Sequence, residues 1–174
     1  MWEIGNQKIK KWEDYNSIVK ELKGELQEKE AKIILAKFLR TNIGFTFEMI
    51  CGIKLLEMQE LIIKALFLRD LGLIIEGRGV GKSFLISVFS ILYSIFYPNC
   101  GFCLLSSNFR RSRSILEMSE KIVHHPKAEL LQQCFPQALK RHNDLFSWKL
   151  PNGSEIFALP LSTGEGLRGT RASC

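Results

Sequence analysis

The stretch LGLIIEGRGVGKSFLISVF, residues 71–89, decides how the chain is read. An apolar run ends at Glu76, glycines stand at 77, 79 and 81, and Lys82-Ser83 opens a second apolar run. A short apolar run bounded by turn residues predicts a buried strand over 72–76, and the longer run after the turn predicts a helix over 82–96. A glycine-rich turn between a strand and a helix needs an explanation, and so does Arg78 in the middle of it.

Phosphate binding accounts for each residue type. Gly77, Gly79 and Gly81 let backbone N–H groups point at anionic oxygens without a Cβ in the way. A helix N-terminus adds the positive end of its dipole. Gly77-Arg78-Gly79-Val80-Gly81-Lys82-Ser83 matches the P-loop pattern over its last three positions. On that reading Lys82 reaches the β- and γ-phosphates of ATP, and the Ser83 hydroxyl ligates Mg2+. Arg78 is placed to meet the γ-phosphate, where a planar, permanently charged guanidinium steadies developing charge. One residue departs from the pattern: the glycine expected five positions before Gly81 is Glu76, which points to a variant loop. The competing reading is a turn that serves packing only.

Working outward, residues 11–40 predict helix, with Gly24 as a break and Ile33, Ile34, Leu35, Phe38 and Leu39 as its apolar residues. TNIGF, 41–45, reads as a helix stop, and 55–68 as a second helix. Beyond the turn, GFCLLSS at 101–107 predicts a second buried strand, 109–124 a helix, and 127–135 a short helix. LFSWKLPNGSEIFALPL predicts two strands around Pro151-Asn152-Gly153, with Phe146 and Trp148 as hairpin packing. Strands alternating with helices predict an α/β fold with a parallel sheet.

Composition agrees with a folded domain. The chain has 174 residues, 46% of them hydrophobic, and a formal charge of +6. The basic balance suits a nucleic-acid partner without demanding one. Five cysteines at scattered spacing do not form a secreted disulfide framework, and CGFC at 100–103 reads as small buried hydrophobes within a strand rather than a redox pair. No Cys/His spacing fits zinc. The charged N-terminus is no signal peptide. Residues 84–109 lack charge, but Pro98, Asn99 and Gly101 divide them, so no membrane span is expected.

With these pieces in place the sequence resembles the ATPase domain of the phage terminase large subunit, the motor that packages DNA into viral capsids. GRGVGKSF is similar to that family's variant Walker A motif, with arginine at the position of Arg78. KLLEMQELIIKAL is similar to its adenine-contacting segment, which makes Gln59 the matching glutamine, and FLRTNIGFTFEMICGIKL is similar to its lead-in. NGSEIFALPLSTGEGLRGTRAS is similar to the stretch before the Walker B strand, with its Arg-Gly at Arg168-Gly169. The resemblance covers roughly residues 30–174.

It implies a P-loop NTPase fold of the RecA-like ASCE type, a parallel sheet flanked by helices. Residues 1–45 would form a helical lead-in and residues 46–174 an ATPase domain stopping short of Walker B. It also implies ATP and Mg2+ as cofactors, double-stranded DNA, the portal protein of the procapsid and the small terminase subunit as partners, a homo-oligomeric ring, and the host cytoplasm as location. Arg168, on a loop with Gly164, Gly166 and Gly169, would act on a neighbouring subunit's nucleotide, make a structural ion pair, or grip DNA. Arg110, Arg111 and Arg113, at a predicted helix start where their charge opposes the dipole, would contact DNA phosphates, partner carboxylates or solvent. The Walker B carboxylates and the nuclease half of the family have no counterpart in these residues. The expectation is therefore an incomplete ATPase that binds nucleotide weakly and turns over little. A helicase or other RecA-like remodeller, and a nucleotide-binding remnant without turnover, are the competing functions.

Overall fold

The computed structural model describes residues 2–4, 7–9, 28–69, 71–75, 77, 79–141 and 145–160. The chain is α/β, in two compact units, Met1–Lys64 and Ala65–Cys174.

In the first unit, strands β1 (Trp2–Ile4) and β2 (Gln7–Ile9) pair antiparallel, a hairpin that was not expected. Helix α1 (Glu28–Thr41) follows; the predicted helix upstream of it, with Gly24, lies outside the described residues. The expected stop at 41–45 is a break one residue wide. Asn42 leaves helical geometry and donates from Nδ2 to the Phe38 carbonyl at 3.0 Å, and α2 (Ile43–Cys51) starts at once. Thr46 ties the two helices by donating to the Leu39 carbonyl at 2.7 Å, and the Phe38 and Phe45 rings meet edge-on. Gly52, at φ +67°, closes α2 by donating its N–H to the Glu48 carbonyl, the left-handed helix ending that glycine adopts without strain. Phe38, Ile43, Phe47, Cys51, Leu55 and Ile63 are buried. Ile33, expected on the apolar face of α1, is half exposed instead. Helix α3 (Glu57–Phe67) begins in this unit.

The second unit holds helix α4 (Lys82–Phe96), strand β3 (Gly101–Ser106), helix α5 (Phe109–Val123), helix α6 (Glu129–Cys134) and strands β4 (Lys140–Arg141), β5 (Phe146–Lys149) and β6 (Glu155–Pro160). The sheet order is β3-β6-β5-β4. β3 and β6 run parallel, whereas β5–β6 and β4–β5 are antiparallel. The sheet is therefore mixed, a correction to the all-parallel expectation. Two causes produce it. The Leu150–Ser154 turn folds β5 back onto β6, and the predicted strand at 72–76 pairs with nothing among the described residues.

β6 is the central strand: Ile156, Phe157, Ala158 and Leu159 are all buried, the near-continuous apolar run of a strand covered on both faces. Its turn is fastened to the α4–β3 connection. Asn152 donates from Nδ2 to the Ser94 carbonyl at 2.7 Å, and Ser154 Oγ donates to the Tyr97 carbonyl at 2.8 Å. The Asn99 N–H donates to the Asn152 carbonyl. α5 packs on β6 and β3 and beside α4. Trp148 is fully buried, its ring against Phe135 and its Nε1 donating to the Gln137 carbonyl at 2.6 Å, so Phe146 and Trp148 are hairpin packing as expected. Phe89 and Tyr93 of α4 meet Phe102 of β3.

Candidate phosphate-binding turn

The glycine turn takes the backbone shape an anion cradle needs. Gly79 lies at φ +88° and Gly81 at φ +98°, a left-handed region that costs other residues about 1–2 kcal/mol. A Cβ at Gly79 would meet no atom within 4 Å, so conformation alone calls for glycine there, and the space beside the turn is open. Gly77 differs. It is not left-handed, and a Cβ there would make an ordinary 3.9 Å contact with Val80. Gly79 and Gly81 are thus the two glycines this geometry requires.

Gly81 is also the N-cap of α4, and as a glycine it offers no side-chain cap of its own. Its carbonyl accepts the first helical bond, from Leu85 N at 3.0 Å. α4 is a 15-residue helix whose first turn carries no acidic residue, and the positive end of its dipole favours an anion there. Lys82 folds back across the turn and donates from Nζ to the Gly77 carbonyl at 2.5 Å, holding an ammonium over the loop. Ser83 and Val80 are exposed. Gly77, Gly79, Val80, Gly81, Lys82 and Ser83 are thus brought together in one turn. Arg78 and Arg168 lie outside the described residues.

The approach to the turn differs from expectation. Residues 72–75 form no strand, and Leu71, Leu73 and Ile75 are 91%, 85% and 84% exposed. An apolar run becomes a strand only when a neighbouring edge satisfies its backbone. The four described strands that form this unit's sheet leave this segment without one.

Gln59 belongs to the first unit. Its Oε1 accepts the Leu56 N–H at 3.1 Å, while Leu56 accepts the Glu60 N–H at 2.9 Å. That is the reach-back half of a capping box at the start of α3, a structural task the sequence also encodes by placing glutamine three residues after the cap.

The end of the sheet that faces the turn follows from two hydrogen bonds. Asn152, just before β6, reaches the Ser94 carbonyl late in α4, and Ser112, early in α5, donates from Oγ to the Leu159 carbonyl late in β6 at 3.2 Å, so the two helices begin at the same end. That end also carries the Ser106–Asn108 corner after β3. Asn108 caps α5, its Oδ1 accepting the Arg110 N–H at 2.9 Å.

The three arginines then divide. Arg113 lies over aromatic rings while its side chain stays 43% exposed, its guanidinium 4.7 Å from the Phe146 ring centre and 6.0 Å from that of Phe109, with Nε 3.7 Å from Glu117. Arg110 and Arg111 are exposed, on a first turn that carries no acidic residue. The aromatic seat of Arg113 escaped the sequence reading because Phe146 comes from a distant strand. A Phe-x-x-x-Arg spacing, 109 to 113, was the only local signal.

Three cysteines, Cys51, Cys103 and Cys134, are poor nucleophiles. Burial pushes the Cys51 thiol up to about 11 and raises Cys103 and Cys134, in line with a structural role for CGFC. Among the described residues no group of His, Cys, Asp and Glu is arranged to hold a metal, and no helix is long and apolar enough to cross a membrane. No family model matches the chain, and no curated protein matches it either.

Proposed function

We propose that Gly77–Ser83 cradles the phosphates of a nucleoside triphosphate, and that the chain is the nucleotide-binding part of a P-loop ATPase. The observation that carries the reading is the turn itself: two left-handed glycines and an ammonium folded over the loop, at the start of a 15-residue helix. These residues fit a polyphosphate. Backbone N–H groups would bind its oxygens, Lys82 would neutralise charge, and Ser83 would supply one oxygen ligand to Mg2+. The metal, when bound, supplies charge neutralisation between the phosphates. Arg78 belongs to the same proposal, as the group that steadies charge on the terminal phosphate.

The resemblance to phage terminase large subunits extends the proposal to the whole protein. The ATPase would drive double-stranded DNA into a capsid, with Gln59 on the adenine and Arg168 reaching a neighbouring subunit. The capping bond engages Oε1 of Gln59 with Leu56, so the contact with the base would fall to its Nε2 donors.

Titration of a fluorescent ATP analogue with Mg2+ tests the core of the reading. Binding that falls at least tenfold in Lys82→Ala, with the thermal unfolding midpoint unchanged, supports it. No binding by the wild-type chain, or equal binding by the variant, overturns it. Capsid-stimulated turnover by the full-length protein supports packaging, whereas separation of a forked duplex points to a helicase.

A further inference from the structure

We draw no further inference here: the strongest candidate, the open outer edge of strand β3 together with the exposed apolar segment Leu71–Ile75, carries nothing because nothing in the structure shows what covers it.

Discussion

Two apolar runs of similar length behave oppositely. Gly101–Ser106 is a strand in register with β6, with Leu104 5% exposed, while Leu71–Ile75 is irregular chain without a ladder among the described residues, with Leu73 85% exposed. Neither run carries a charge, and both read as buried strands. The difference lies in what each can pair with. β3 has β6 along its whole length, and α4 and α5 cover it. The segment before the glycine turn has no described partner strand. Strand formation is thus a property of the neighbourhood, and side-chain pattern only makes a segment eligible for it.

The comparison breaks most visibly at Leu104. Leu104→Ala removes a buried side chain from the paired run and should cost about 2–5 kcal/mol, the usual range for emptying a core leucine site. Urea unfolding of the purified chain reads that value directly. A loss below about 1 kcal/mol would mean that β3 is no better packed than the unpaired segment, against the range expected for a core site.

A smaller effect is expected where β6 is turned back on β5. Gly153 sits at φ +83°, and a Cβ there would run into the Asn99 side chain. The atom met is the amide oxygen of the exposed Asn99 side chain, which can rotate away, so the left-handed backbone is the main cost. Gly153→Ala should therefore destabilise by at least the 1–2 kcal/mol of left-handed strain, seen as a drop in the thermal midpoint. An unchanged midpoint would show that the α4–β3 connection yields easily, and that the parallel β3–β6 pairing does not depend on this fastening.

Much of this second unit was legible in the sequence. Helix 82–96 is the observed α4, because its glycine start and its Pro98-Asn99 end are both local signals. The strand at 101–106, the helix from 109 and the hairpin at 150–154 carry equally local cues. The glycine turn was legible for the same reason, since left-handed residues must be glycine almost everywhere. What was not legible is non-local. The antiparallel β5–β6 pairing makes the sheet mixed, and Arg113 turns onto an aromatic ring contributed by β5. The N-terminal pairing of Trp2–Ile4 with Gln7–Ile9 was not expected, although it did have a local signal, the Gly5-Asn6 pair between them. Gln59 was read through resemblance as an adenine contact, and its capping bond was encoded three residues from its partner all along.

The cap on α5 supplies a further test, now at the end of the sheet that carries the turn. Asn108→Ala removes the acceptor of the Arg110 N–H and should cost about 1 kcal/mol. Arg110 and Arg111 remain in place but lose their fixed start. Asn108→Asp should keep the cap and add a favourable charge at the helix start, so it should match or exceed the wild type in thermal midpoint. If both variants unfold alike, the cap contributes nothing and the corner after β3 is held by Ser106 and Phe109 instead.

The smallest expected effect is the most telling. Leu73→Ala should change stability by less than about 0.5 kcal/mol, as exposed substitutions do, although leucine at this position reads from sequence as core. Set beside Leu104→Ala, it measures what pairing adds to an otherwise equivalent run. The pair also bears on the proposed cradle, because residues 72–75 lead directly into Gly77. If nucleotide binding orders that approach, saturating ATP analogue should turn Leu73→Ala from neutral to weakening, with affinity lower than in the wild type. If affinity stays equal, the turn binds phosphate on the strength of Gly79, Gly81 and α4 alone. A cost of 2 kcal/mol or more without nucleotide would instead place Leu73 in a packed core, the range found there, and the contrast between the two runs would be lost.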